Sequence, residues 1–256
     1  MLSEAVPISM VFEVLERLEV HQYPQEPNPV GGYGAGLATL LENGTVVHEK
    51  TGRVNGSPAS RLAKIWGSKV VDMSVLVSHV RMPSPEFMRS ASFKETAQPY
   101  VVQFDPHLTI ASVHNGKVEN YERLRAELKK KHIFESEKVQ LIDSEIIPHY
   151  FEELLKETED TTKACSALLC RLQGPNTICM LQIDDENAFM HFIHTGKTRG
   201  LTIWTNGHND LLFCTRKEAL SNEFRELLAK DKFKEKASIE YHEEAALRLS
   251  FSKQLQ

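Results

Sequence analysis

The sequence has no apolar run that approaches the ~20 residues a helix needs to cross a bilayer. Its first residues also lack the cationic region and apolar stretch of a secretory signal. Both absences predict a chain that works in the cytoplasm and has no membrane partner. The 256 residues can bury a large core, and no long linker divides them, so we expect one domain over residues 1–256.

Charge of neither sign is in large excess, with 30 basic residues against 35 acidic ones. No basic stripe interleaved with aromatic residues is present, so nucleic acid is a poor candidate partner.

The four cysteines lack Cys-x-x-Cys spacing, and we expect them to be buried, reduced thiols. A metal hydrolase would have to use His191 and His194, which point to opposite faces of a strand and have no acidic residue at ligand spacing. We therefore expect neither a metal nor a cofactor.

Hairpin signals and helical patterns share the chain. Asn-Gly occurs four times, and this dipeptide favours the tight turn between paired strands. Ser57-Pro58 has the residue types that begin a helix, and Asp143 is predicted to cap another that runs to Lys156. Further helices are predicted over residues 7–20, 119–131, 161–172 and 217–230, and buried strands over residues 73–80 and 108–113. Antiparallel strand pairs with helices between them predict an α+β fold.

Polar residues follow three apolar strands at the points where those strands end. The segments are Ser78-His79-Val80-Arg81, Val113-His114-Asn115-Gly116 and Asp143-Ser144-Glu145. Loops at strand ends often carry ligand chemistry on a rigid scaffold. Each segment also has an ordinary interpretation: Arg81 as a surface arginine, Asn115-Gly116 as a tight turn, and Asp143 as a helix cap.

Together and in this order, the segments resemble the glutaminase domain of class II glutamine amidotransferases, which are N-terminal nucleophile (Ntn) hydrolases. That family has a Gly-His-Thr-Arg type motif, matched by residues 78–81, and an Asn-Ala-Gln-Pro-Phe type segment, matched by Thr96-Ala97-Gln98-Pro99-Tyr100. It also has His-Asn-Gly-x-x-x-Asn-Tyr, matched by residues 114–121, and Asp-Thr-Glu at a helix start, matched by residues 143–145. The resemblance implies a four-layer αββα sandwich of antiparallel sheets.

The resemblance also implies a role for each matched residue. Glutamine is a zwitterion, so Arg81 would bind its α-carboxylate and Asp143 its α-ammonium. The Asn115 side chain and the Gly116 backbone N–H would form an oxyanion hole, in which one donor typically lowers the barrier by roughly 3–4 kcal/mol. His79 and Gln98 join the substrate-binding set through their places in the matched motifs.

The family's nucleophile is a cysteine at the mature N-terminus, whose own α-amine acts as the base. This sequence begins Met1-Leu2-Ser3, and its first cysteine is Cys165. Two explanations are open: the true start lies a few residues upstream and includes the cysteine, or the chain is a silent relative that binds glutamine for regulation. The retained oxyanion residues favour the first. Ser3 could serve only after an unusual trimming of the chain.

Domains of this family usually pass ammonia to a synthase or transferase domain. The residues after about 221 are too few for one, so the acceptor would be a separate subunit or absent, and self-association into a homo-oligomer is open. A binding-module interpretation competes with the enzyme, and it predicts saturable glutamine binding without ammonia release.

Overall fold

A computed structural model describes residues 1–41, 43–67, 72–129 and 131–255. Its helices are α1 (Ile8–Val20), α2 (Pro58–Trp66), α3 (Tyr121–Glu127), α4 (Ile146–Thr158), α5 (Thr161–Arg171), α6 (Lys217–Glu223) and α7 (Arg225–Lys230). Its strands are β1 (Val6–Pro7), β2 (Gly34–Leu40), β3 (Val46–Gly52), β4 (Asp72–Met73), β5 (Leu76–Val80), β6 (Tyr100–Asp105), β7 (Leu108–Gly116), β8 (Asn176–Ile183), β9 (Asn187–Lys197), β10 (Leu201–Thr205), β11 (Leu211–Cys214), β12 (Lys234–Ile239) and β13 (Glu244–Gln254).

The chain divides into two compact units. The first consists of Met1–Pro99 and Gly200–Glu240, and the second of Tyr100–Arg199 and Tyr241–Gln256. This division does not decide whether residues 1–256 act as one domain, which stays a prediction.

The first unit contains two three-stranded antiparallel sheets, in the orders β3-β2-β5 and β11-β10-β12, and a two-residue pairing of β1 with β4. Helix α1 forms where a helix is predicted, and it is amphipathic because Ile8, Val11 and Leu15 recur at helical spacing and are buried. Their side chains pack with Leu37 of β2 and Trp66 of α2 in one core. Burying a side chain of this size typically stabilises a fold by about 1.5–3 kcal/mol.

Two local signals in the first unit act as the sequence predicts. In the turn between β2 and β3, Gly44 has φ 79° and the Thr45 N–H donates to Asn43 Oδ1 at 3.0 Å. At the start of α2, Ser57 Oγ accepts from Ser60 N–H at 3.0 Å and Pro58 occupies the first position. These contacts fix the hairpin and the helix start locally, so both predictions are confirmed.

The second unit is built on one five-stranded antiparallel sheet, in the order β13-β9-β8-β7-β6. Helix α4 packs on β6 and β7, and α5 packs on β9. Their shared core includes Ile110, Phe151, Leu168 and Ile178. This packing places the end of β7 in the same unit as the turn that precedes α4.

Three elements differ from the predictions. The helix predicted over residues 217–230 is broken at Phe224, whose side chain is buried in the core with Leu220. The strand predicted over residues 73–80 is split into β4 and β5. The helix predicted over residues 119–131 ends at Glu127, because Leu128 is extended and the Lys129 N–H donates to the Glu153 carboxylate at 2.9 and 3.0 Å. Residue 130 lies outside the described residues.

The start of α4 also differs from its prediction. A 3₁₀ turn, Asp143–Glu145, precedes the helix, and no side-chain cap bonds its first turn. The Asp143 carboxylate instead accepts from the Val118 N–H at 2.9 Å, so the predicted helix cap is wrong. Pro148 lies in the first turn, where a backbone N–H has no intrahelical partner in any case, and it costs the helix no hydrogen bond.

Candidate functional site

Three predicted site residues of the first unit gather around the glycines of β2. In the β2–β5 register His79 lies opposite Gly36, and Arg81 directly follows β5. A Cβ atom on Gly36 would come within 2.1 Å of the Gln98 carbonyl oxygen. Glycine at position 36 therefore lets the Gln98 backbone lie against the strand. His79, Arg81 and Gln98 are all buried.

Hydroxyl groups orient the Arg81 guanidinium. Its Nη1 donates to Thr96 Oγ1 at 2.6 Å, and its Nη2 lies 3.5 Å from Ser90 Oγ. The Thr96 hydroxyl is itself placed 2.7 Å from the Ser90 carbonyl oxygen. Arg81 is only 5% exposed, so its interpretation as a surface arginine is wrong. A planar fork held in this way suits a carboxylate ligand.

The second unit brings together the other three predicted residues. Asn115 and Gly116 are the last two residues of β7, so their interpretation as a tight turn is wrong. Gly116 has φ 126°, and a Cβ atom there would come within 2.1 Å of the Pro175 carbonyl oxygen. The positive φ and the close approach both require glycine.

Asp143 lies beside this strand end. Its Oδ2 accepts from the Val118 N–H, two residues beyond Gly116, at 2.9 Å. Its Oδ1 lies 3.4 Å from Ser144 Oγ, and the residue is 4% exposed. The loop after β7 and the turn before α4 are thereby joined through one carboxylate.

Sequence reasoning gave no role to His114 and Asn176, which complete this cluster. His114 Nδ1 lies 2.8 Å from Ser144 Oγ, and its Nε2 lies 2.9 Å from Asn176 Oδ1. Burial lowers the pKa of His114 below its usual range, although the Asp143 charge and the Asn176 hydrogen bond oppose the shift. The signal for His114 was its position directly before Asn115. Asn176 had no local signal except the Gly174-Pro175 that precedes it.

The structure therefore holds the six predicted residues as two groups of three, one in each unit. That all six serve one ligand stays a prediction, as does the role of each.

Three of the four cysteines are buried, as the sequence predicts, and the prediction is wrong for Cys170. Cys165, Cys179 and Cys214 are buried free thiols, and Cys170 is exposed. Burial raises the pKa of Cys165 and that of Cys214 to about 11, and it raises the pKa of Cys179 well above the usual range. Because the thiolate is the nucleophilic form, the three buried thiols are poorly suited to attack an amide at neutral pH.

The histidines of β9 have partners within the protein. His191 lies 2.9 Å from Ser250 Oγ and 3.1 Å from Gln182 Oε1, and His194 lies 2.9 Å from Thr177 Oγ1. Burial lowers the pKa of both, that of His191 to about 4.

Within the described ranges, no helix is both long and apolar enough to pass through a bilayer.

Solved structures establish the class of fold. An allosteric regulatory enzyme of purine biosynthesis superposes with a TM-score of 0.63 at 14% identity, over 97% of this chain and 46% of that one. A glutamine phosphoribosylpyrophosphate amidotransferase from B. subtilis gives a TM-score of 0.60, also at 14% identity and with the same coverage. The predicted α+β, Ntn-hydrolase-like fold is confirmed by this likeness.

The family follows from the sequence match. Residues 88–222, more than half of the chain, match the model of the glutamine amidotransferase domain. The chain belongs to the class II glutamine amidotransferase family, as its motifs predicted.

Curated relatives include two glutamine–fructose-6-phosphate aminotransferases (isomerizing). That of Pyrobaculum aerophilum is 29% identical over 179 residues, which cover 68% of this chain and 25% of the relative. That of Helicobacter pylori is 30% identical over 176 residues, with the same coverage. The chain thus spans about a quarter of the length of these relatives.

Proposed function

We propose that this chain binds L-glutamine and, when an N-terminal cysteine is available to it, hydrolyses the side-chain amide and supplies ammonia to an acceptor. The observation that carries the proposal is the cluster at the end of β7, where Asn115 and Gly116 end the strand and the buried carboxylate of Asp143 accepts from the N–H of Val118, two residues further on. Membership of the family and the retained motif residues support the same conclusion.

Recognition of the amino acid needs two opposite charges. Arg81 binds the α-carboxylate through its guanidinium fork, which Thr96 and Ser90 already orient. Asp143 binds the α-ammonium with its Oδ1, since its Oδ2 accepts from Val118. His79 and Gln98 help to shape the pocket around β2. Together these contacts favour a free amino acid over a simple amide.

Hydrolysis of the amide passes through a tetrahedral oxyanion. The Asn115 amide and the Gly116 N–H supply the donors, and the close approach of Gly116 to Pro175 fixes the direction of its backbone. Loss of one such donor typically costs about 3–4 kcal/mol of transition-state stabilisation.

The nucleophile is the part of the mechanism that the four cysteines do not supply. Three of them are buried thiols of raised pKa. Cys170 is exposed but lies far from either end of the sequence, so it lacks the free α-amine that an N-terminal cysteine uses as its base. A chain that begins at Met1 therefore binds glutamine without releasing ammonia, and a cysteine at the mature N-terminus confers hydrolysis. A silent glutamine-binding or regulatory subunit is the second candidate, favoured by the raised pKa of the buried Cys165 and Cys214 thiols.

An acceptor completes the proposed reaction. The curated relatives are named for an aminotransferase that uses fructose 6-phosphate, and this chain covers about a quarter of their length. The proposed receiver of the ammonia is a synthase or transferase unit, and self-association of the chain is compatible with this arrangement.

A calorimetric titration with L-glutamine, run beside an ammonia assay on the same protein, tests this proposal. We expect saturable binding with no ammonia, and L-asparagine, one methylene shorter, should bind more weakly. Lack of binding would contradict the glutamine site, and ammonia release by a chain that begins at Met1 would contradict the account of the nucleophile. Glutamine binding by the native protein, together with an N-terminal cysteine in its mass spectrum, would support the enzyme over the silent subunit.

A further inference from the structure

His114 is the neighbour of one proposed site residue, and its ring contacts the neighbours of two others. It precedes Asn115 on β7 and is 3% exposed. One ring nitrogen reaches Ser144, the residue after Asp143, at 2.8 Å, and the other reaches Asn176 at 2.9 Å. Asn176 is the register partner of Gly116 across the β7–β8 pair.

Asn176 determines which ring nitrogen carries the proton. Its Nδ2 donates to the Gly174 carbonyl oxygen at 2.7 Å, so its Oδ1 faces His114 Nε2. A carbonyl oxygen only accepts, and Nε2 must therefore be the donor. Since burial favours the neutral ring, Nδ1 is an acceptor and the Ser144 hydroxyl donates to it.

We propose that His114 is a positioning residue that keeps Asp143 available for the α-ammonium of glutamine, an inference that rests on the proposed function. The Ser144 hydroxyl has one proton, and the acceptors within its reach include His114 Nδ1 at 2.8 Å and Asp143 Oδ1 at 3.4 Å. While the proton is donated to His114, Asp143 Oδ1 keeps its lone pairs for the ligand. Without that acceptor, the hydroxyl turns to Asp143 and competes with the ammonium.

A second histidine of the same unit provides a matched control. His191 has 0% exposure, and its Nδ1 and Nε2 lie near a serine hydroxyl and an amide oxygen, those of Ser250 and Gln182. It therefore has the burial and the hydrogen-bonding pattern of His114, but its partners are not neighbours of Asp143.

The test compares two ligands, L-glutamine and glutaramate, which is glutamine without its α-amine. His114→Leu should lower the preference for glutamine by about tenfold, the typical worth of a hydrogen bond to a charged group. His114→Asn, whose Oδ1 can accept from Ser144, should retain most of the preference. His191→Leu should leave it unchanged.

Removal of the competing hydroxyl gives the sharpest readout. The double variant His114→Leu/Ser144→Ala should regain the preference that His114→Leu loses, a rescue that a merely structural role would not produce. Ser144→Ala alone should keep the preference, which preserves the test if His114→Leu does not fold. Nitrogen-15 NMR of the unsubstituted chain should show His114 protonated at Nε2.

Several results would overturn the role: a ring protonated at Nδ1, an equal loss in His191→Leu, loss of the preference in Ser144→Ala, or no recovery in the double variant. No glutamine binding by the unsubstituted chain would overturn the proposed function and the role with it. Normal binding with an unchanged preference in His114→Leu would overturn the role alone.

Discussion

The two units hold their candidate residues by different means. In the first unit, Arg81 follows a strand and is oriented by hydroxyls on short 3₁₀ turns. In the second, Asp143 is fixed by a backbone N–H and flanked by the buried network of His114, Ser144 and Asn176. Neutral hydroxyls thus orient the Arg81 cation, while a backbone N–H beyond the end of β7 fixes the Asp143 carboxylate. The second group should be the more sensitive to changes in protonation.

The largest effects should come from the glycines, on which both groups depend equally. Gly36→Ala in the first unit and Gly116→Ala in the second each place a Cβ atom within 2.1 Å of a carbonyl oxygen. Each should lower the free energy of unfolding by more than about 3 kcal/mol, measured by urea denaturation. Gly207→Ala, with nothing within 4 Å of the added atom, should be nearly neutral. Similar losses at all three positions would contradict the close packing.

The next largest effect is that of acid, which should destabilise the second unit more than the first. Burial lowers the pKa of His191 from 6.5 to about 4, so below pH 6.5 the unfolded chain binds a proton that the folded chain does not. Stability is therefore lost as the pH falls from about 6.5 to 4, by about 3 kcal/mol from this group. His191→Gln should remove that part of the pH dependence of urea denaturation.

Among the described residues, burial lowers the pKa of His114, His132, His191 and His194 in the second unit and that of the half-buried His21 in the first. Hydrogen exchange at pH 5 should therefore show greater loss of protection in the second unit. Equal loss in both units would remove the contrast in acid sensitivity.

Asp143→Asn tests the proposed role of the second group in ligand binding. The amide oxygen can still accept from Val118, while the charge proposed to bind the α-ammonium is lost. We expect glutamine binding to weaken by about 2 kcal/mol and glutaramate binding to stay the same. Asp160→Asn, which alters the N-cap of α5, serves as the control and should leave both affinities unchanged. Equal weakening of both ligands would mean that Asp143 does not face the ammonium.

The smallest predicted effect concerns the support of Arg81. Thr96→Val removes the hydroxyl that accepts from Nη1 and nearly preserves the shape of a side chain that is 1% exposed. Glutamine binding should weaken by about 1 kcal/mol in a calorimetric titration, as expected for one hydrogen bond. An unchanged affinity would mean that Thr96 does not orient the guanidinium.

The sequence predicted the features that neighbouring residues determine. The Asn43-Gly44 turn and the Ser57-Pro58 helix start depend on contacts within three residues, and both form as predicted. The α+β class followed from the pattern of strand pairs and helices, and the motifs identified the family. Long-range partners could not be predicted in this way. Asp143 accepts from Val118, 25 positions away in the sequence, and His114 bonds Asn176, 62 positions away. The break at Phe224 has the same origin, since core packing outweighs helix propensity there.

The central claim is that Arg81 binds the α-carboxylate of glutamine, and one calorimetric cycle tests it directly. L-glutamine and 4-aminobutanamide, which lacks that carboxylate, are titrated into the unsubstituted chain, into Arg81→Ala and into the control Arg61→Ala, whose side chain is exposed. We predict that Arg81→Ala weakens glutamine binding at least about tenfold and leaves 4-aminobutanamide unaffected, while Arg61→Ala changes neither. Glutamine binding that is unchanged in Arg81→Ala would contradict the account.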